Sequence, residues 1–205
     1  MRTYRSLISV LPVCPERRNP RVTQDDELYA RYLSGDSSAV DDLMRKYTGR
    51  LIMYLDAMVH NIRDAEDLVI ETFAAIMTKR PAIREGGFQA YLYQAARNRT
   101  TRFRLRRRKI STFSLDEDEA EQLQAVRPED EFLRDEQRIA VRNCLNRIDP
   151  ECREAIWLTY FEGLSYAEAA AVMGTDAKRI DNLLIKGKKN MRSELAKEGI
   201  LCADN

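Results

Sequence analysis

Gly163-Leu164-Ser165-Tyr166-Ala167-Glu168-Ala169-Ala170-Ala171-Val172-Met173-Gly174-Thr175-Asp176 is the stretch that decides the fold of the second half of the chain. Ser165 and Glu168 stand three residues apart ahead of an apolar run, the spacing at which serine and glutamate satisfy each other's free backbone donors at a helix start. Gly174 offers the left-handed conformation that ends a helix, and Asp176 is placed to cap the next one. Downstream, Ile180, Leu184, Gly187, Met191 and Leu195 recur at helical spacing and predict an inward face. Lys178, Arg179, Asn182, Lys186 and Lys189 are left on the outer side. Helix, glycine turn and second helix form a helix-turn-helix, whose second helix lies in the major groove of DNA. Lysine and arginine there donate to phosphates, and arginine and asparagine also match guanine and adenine edges. The plainer alternative is a helical hairpin with a solvated basic face.

Upstream, Asp149-Pro150 supplies an N-cap and a proline at the first helical position of a helix ending at Gly163. Leu133, Gln137, Ala140, Val141, Cys144, Leu145 and Ile148 mark one more helix before it. Residues 110–132 lose this periodicity and collect acidic residues, Gln and Ser, with Pro128. That composition predicts a flexible acidic linker unable to bury enough surface to order itself. The expected fold is therefore all-α, with two helical domains at 25–109 and 133–200 joined by this linker and a tail at 1–24. In that tail, Arg2 and Arg5 precede a short apolar stretch from Leu7 to Val13, but Pro12 interrupts it and charges follow, so a loose tail is expected rather than an export signal.

Four helices are expected in the first domain. Asp25 to Leu33 turns Leu28 and Tyr32 inward and closes at Gly35. A long helix after Ser37 or Ser38 carries Val40, Leu43, Met44, Tyr47, Leu51, Tyr54, Leu55 and Met58. A third runs from near Asp64 to about Arg80, with Leu68, Thr72 and Ile76 on one ridge, Val69, Phe73 and Met77 on the next, and Pro81 after it. The fourth, Gly87 to Arg108, has Phe88, Tyr91, Leu92, Ala95 and Phe103 as its apolar side.

Charged residues make up 33% of the 205 residues, yet the net charge is +1, which excludes a general DNA coat. The balance conceals segregation. Arg97, Arg99, Arg102, Arg104, Arg106, Arg107, Arg108 and Lys109 form a basic run, followed by Asp116, Glu117, Asp118, Glu119 and Glu121. Arginines interleaved with aromatics suit a nucleic acid whose phosphates need cations and whose opened bases need stacking surfaces. The alternative is that the aromatics are core and the arginines only solvated.

Asp64, Glu66, Asp67 and Glu71 put negative charge near a helix N-terminus, where the dipole favours it. An acidic docking surface or a solvated cap fits better than a metal site, since His60 is the single histidine and no second carboxylate motif accompanies it. The cysteines at 14, 144, 152 and 202 form no C-x-x-C pair, so no zinc site is expected, and reduced thiols fit a cytoplasmic protein. No run of about 18 apolar residues predicts membrane insertion. Without a phosphate loop or an activated nucleophile, no enzyme and no cofactor are expected.

Together the two halves resemble sigma factors of the extracytoplasmic-function (ECF) type over residues 25–196. Asp64-Ala65-Glu66-Asp67-Leu68-Val69 with Glu71 and Phe73 is similar to the region 2 signature that docks on core RNA polymerase. Phe88-Gln89-Ala90-Tyr91-Leu92-Tyr93 leading to Ala96-Arg97-Asn98 resembles the part that melts and reads the −10 element. By that resemblance Asn98 and its neighbours capture a base turned out of the non-template strand. Leu145-Asn146-Arg147-Ile148-Asp149-Pro150 and Glu162-Gly163-Leu164-Ser165-Tyr166-Ala167-Glu168-Ala169-Ala170 look like region 4, which reads the −35 element. Asp181, Leu183 and Arg102 depart from the family's pattern. The resemblance implies polymerase binding through Asp64, Glu66, Asp67, Leu68, Glu71 and Phe73. It implies −10 contacts from Arg97, Asn98, Arg99, Arg102, Arg104, Arg106 and Arg107, and −35 contacts from Lys178, Arg179, Asn182 and Lys186. Core polymerase, promoter DNA and an anti-sigma factor are the partners it implies. The competing reading is a helix-turn-helix regulator that binds duplex DNA without polymerase.

Overall fold

The computed structural model describes residues 23–111 and 144–197, and among these every regular element is helical. The expected linker, the tail up to residue 22 and most of the helix expected before Asp149 lie outside the described residues. The chain divides into two compact units, one holding residues 23–111 and the other 144–197.

In the first unit α1 spans Gln24–Leu33, α2 Ser38–Val59, α3 Ile62–Lys79 and α4 Phe88–Ser111. Thr23 and Asp26 form a capping box at the start of α1: the Asp26 backbone N–H donates to the Thr23 hydroxyl, and the Thr23 N–H donates back to the Asp26 carboxylate at 2.8 Å. The same carboxylate accepts from the backbone N–H groups of Gly86 at 2.8 Å and Phe88 at 3.3 Å, so one side chain fastens α1 to the entry of α4. Burial works against its charge, but these hydrogen bonds outweigh it and hold the Asp26 carboxyl below its ordinary range. Asn61 caps α3 by accepting from the N–H groups of Arg63 and Asp64.

The core of this unit is a chain of rings. Tyr29 meets Phe88 at 5.2 Å, Phe88 meets Tyr47 at 6.2 Å, and Tyr93 packs edge-on against Tyr47 and Tyr54. Polar ends are pinned as well: Tyr47 donates to the buried Asp25 at 2.6 Å, Tyr29 to the Pro81 carbonyl and Tyr32 to that of Met77. Leu43, Leu51, Leu55, Leu68, Val69, Phe73 and Ile76 are buried as the helical spacing predicts. Val40, Met44, Tyr32, Met58 and Met77 are only half-buried.

The inward face of α4 differs from expectation. Phe88, Leu92, Tyr93, Ala96 and Thr100 are buried, while Tyr91, Ala95 and Phe103 are half-buried. At 100° per residue, the buried set is turned by about a third of a circumference from the Tyr91–Ala95 ridge. Tyr93 wins the core position because its ring fills the space between Tyr47 and Tyr54.

In the second unit α5 spans Pro150–Ile156 and runs into one π-helical turn, Trp157–Phe161; α6 spans Tyr166–Met173 and α7 Ala177–Lys197. Asp149 caps α5 and Ser165 caps α6, where the Ser165 N–H donates to Glu168 at 2.8 Å and the Glu168 N–H returns to the Ser165 hydroxyl. Gly174 is left-handed at φ 68° and Asp176 accepts from the Arg179 N–H at 2.8 Å, so the two short-range signals read in the sequence are both realised. Ile180, Leu184, Gly187, Met191 and Leu195 face inward, joined by Leu183. A Cβ at Gly187 would lie 2.8 Å from the Ile156 Cδ1 and 3.2 Å from the Cys152 Cβ, so this glycine allows α7 to cross α5 closely. Cys144 and Cys152 are buried thiols, and desolvation pushes that of Cys152 up.

Candidate nucleic-acid and polymerase interfaces

The second half of α4 stands clear of the core. From Thr101 to Lys109 every side chain is exposed except Phe103, which is half-buried. Arg102, Arg104, Arg106 and Arg107 therefore surround the helix rather than lining one face. Earlier in α4, Arg97 and Arg99 are half-buried and Asn98 is exposed. Tyr91, Asn98, Arg102 and Lys109 follow one another at i, i+7, i+11 and i+18, which places them along a single outward ridge. Phe88 and Tyr93 are 1% and 0% exposed, so neither offers a stacking surface; Tyr91 is the half-buried ring on that ridge.

On α3, Glu66, Asp67 and Glu71 are exposed and Asp64 is half-buried, with Ile70 open to solvent at 60% among them. Leu68 and Phe73, read from the sequence with the same docking set, are 4% and 2% exposed. Their side chains support this face from beneath and present nothing at its surface. The two candidate sites are joined: Arg107 at the end of α4 donates to Asp64 at the start of α3, at 2.9 Å.

On α7, Lys178, Arg179, Asn182, Lys186 and Lys189 are all exposed. They fall on two stripes. Lys178, Asn182 and Lys189, with the 62% exposed Ile185, form the ridge farthest from the core. Arg179 and Lys186, seven residues apart, share the neighbouring stripe, and each has a carboxylate partner at the start of α5: Arg179 pairs with Glu151 at 2.6 Å and Lys186 with Asp149 at 3.4 Å. Desolvation opposes the charge on Asp149, but the N–H groups of Cys152 and Glu151 and the ammonium of Lys186 outweigh it and hold its carboxyl low. Neither carboxylate was visible in the sequence as part of a DNA-reading surface, because nothing local to Asp149 and Glu151 places them beside α7. Among the described residues no three metal-ligating side chains are grouped together.

Two family models match this chain: sigma-70 region 2 over residues 43–110, which takes in most of the first unit, and sigma-70 region 4 over 138–191, which takes in most of the second. The chain belongs to the ECF sigma factors of RNA polymerase. It is 29% identical over 169 residues to the ECF RNA polymerase sigma factor SigE of Mycolicibacterium smegmatis, covering 80% of this chain and 65% of that protein. The chain thus spans just under two thirds of the length of that relative. It is also 29% identical to the RNA polymerase sigma-H factor of Pseudomonas aeruginosa, over 77% of this chain and 88% of that one. The fold is shared with the sigma factor RpoE of Bartonella quintana, solved with the anti-sigma factor NepR: TM-score 0.60 and 22% identity, over 76% of this chain and 96% of the other. This sigma factor therefore carries its two basic helices, α4 and α7, in the two units that match regions 2 and 4. Among the described residues, no helix is long and apolar enough to cross a membrane.

Proposed function

We propose that this sigma factor binds core RNA polymerase and directs promoter recognition and transcription initiation. Its first domain docks through the acidic face of α3, Asp64, Glu66, Asp67 and Glu71, with Leu68 and Phe73 holding that face in shape. The ridge of α4 from Asn98 to Lys109, with Arg97, Arg99, Arg104, Arg106 and Arg107 around it, takes the −10 element. The second domain reads the −35 element through Lys178, Arg179, Asn182 and Lys186. The observation that carries this reading is the cationic end of α4, exposed around its circumference in a chain that also holds a helix-turn-helix. A helix that leaves arginines on every side has no core to serve, and a duplex-reading regulator needs no second, melting surface.

In this reading the chain acts in the cytoplasm and supplies no catalytic step itself. The complex of RpoE with NepR supports an anti-sigma partner here as well. A net charge of +1 gives little long-range attraction to DNA, so the free chain binds promoter duplex weakly, and assembly on polymerase lets two weak contacts act together.

Run-off transcription with core polymerase, a promoter library and the purified chain tests the proposal. Transcripts starting a fixed distance downstream of a shared two-part sequence are the expected result. Specific duplex binding without polymerase, and no co-purification with core enzyme, would favour the polymerase-independent regulator instead.

A further inference from the structure

We propose that Glu151 and Asp149 are positioning residues that restrain half of the −35-reading surface, limiting its cations to matched promoters. The inference rests on the reading of α7 as the −35 surface and deepens it. Arg179 and Lys186 sit on one stripe of α7, and the start of α5 supplies a carboxylate to each, Glu151 at 2.6 Å and Asp149 at 3.4 Å. Lys178 and Lys189, on the neighbouring ridge, have no carboxylate partner among the described residues.

The physical consequence follows from what each kind of contact carries. Contacts to phosphate position a protein but contain no sequence information, whereas contacts to base edges do. An unrestrained arginine or lysine at the groove settles on the nearest phosphate on any sequence. A carboxylate beside it offsets part of that attraction and fixes the direction of the head group. The cation then gains from DNA only where a base edge meets it in the orientation already imposed. Lys178 and Lys189 remain available for the sequence-independent part of binding. Asp149 is held for this purpose as well as for its cap: one oxygen accepts from the N–H groups of Glu151 and Cys152 while the other faces Lys186.

The full chain assembled with core polymerase provides the test, using a cognate promoter and a panel with single −35 substitutions across a range of salt. Glu151→Gln removes the charge at an exposed position. Asp149→Asn keeps an oxygen to accept the α5 N–H groups. Each variant is expected to gain more on substituted promoters than on the cognate one. Each should also steepen the log–log salt dependence by about 0.9, and the pair by about 1.8, as one and two cations turn to phosphates. In an Arg179→Ala background, Glu151→Gln should change neither quantity, which a merely structural role for Glu151 does not predict. Unchanged slope and unchanged promoter ranking in both variants would overturn the proposal, as would the same Glu151→Gln effect with Arg179 absent. These results are distinct from failure of the underlying reading, in which the unsubstituted chain itself gives no promoter-dependent transcription and the proposal falls with it.

Discussion

Arg107, in the last turns of α4, forms an ion pair with Asp64, in the first turn of α3, at 2.9 Å. One partner belongs to the surface proposed for DNA and the other to the surface proposed for polymerase, so the two proposed sites meet at a single contact. The arginine side chain is 64% exposed and the aspartate 27%. Pairs of this kind contribute about 0–1 kcal/mol to folding stability.

Arg107→Ala is accordingly expected to change the unfolding free energy by less than about 1 kcal/mol. Its effect on function should be larger: the salt dependence of promoter complexes should flatten by about 0.7–0.9 in log–log slope, the loss of one phosphate contact. Chemical denaturation of the free chain and salt titration of the polymerase complex measure the two separately.

The acidic face of α3 separates residues that touch a partner from residues that shape the face. Phe73→Ala removes a ring that is 2% exposed and should cost about 3–5 kcal/mol of stability. Glu66→Ala lies on the surface and should stay within about 0.5 kcal/mol of the parent. Co-purification with core polymerase is expected to fall in both variants. Thermal melting tells the causes apart, since only the Phe73 variant should melt early.

Gly187 faces α5, and the two effects of replacing it oppose each other. Alanine gains about 1 kcal/mol in helix propensity, but its Cβ would meet Cys152 Cβ at 3.2 Å and the Ile156 methyl at 2.8 Å. Overpacking of this kind costs about 1–3 kcal/mol, and the Cys152 Cβ cannot swing aside as the end of a side chain can. Gly187→Ala should therefore be neutral to modestly destabilising and Gly187→Val clearly destabilising. Adding Ile156→Val should recover part of the loss in the alanine variant, which denaturant melts of the four proteins would reveal.

Acid should weaken the first domain through Asp26. Its carboxyl titrates below the ordinary value of 3.8 in the folded chain. The stability it contributes is therefore fully present above that ordinary value and is lost as pH falls through the lower folded one. Asp26→Asn should cost about 1–3 kcal/mol at neutral pH, because N–H groups of Thr23, Gly86 and Phe88 lose a charged acceptor. Melting curves of both proteins from pH 7 downward should converge in acid. A gap that stays constant would show that the carboxylate charge is not what those donors need.

Much of this architecture is legible in the residue order, because the signals are local. Ser165 and Glu168, Gly174, Asp176 and Asp149-Pro150 mark helix ends by chemistry that acts within four residues, and all of them cap or end helices in the folded chain. The inward stripe of α7 was readable for the same reason, since helical spacing alone separates Ile180, Leu184 and Met191 from Lys178 and Asn182. The Thr23 and Asp26 box was as local, but aspartate in place of the usual glutamate or glutamine hid it.

What only tertiary structure decided is where chain-distant residues meet. Tyr93 rather than Tyr91 enters the core because Tyr47 and Tyr54, some forty residues earlier, leave room for its ring. Leu68 and Phe73 share a motif with Asp64 and Glu66 but lie beneath the surface that motif presents. The pairing of Arg179 with Glu151 and of Arg107 with Asp64 depends on two helix crossings, spanning 28 and 43 residues of sequence. Backbone hydrogen bonding and side-chain period act between near neighbours and are written in the sequence. The direction in which one helix crosses another is settled by the summed packing of many side chains, and no single stretch of sequence contains it.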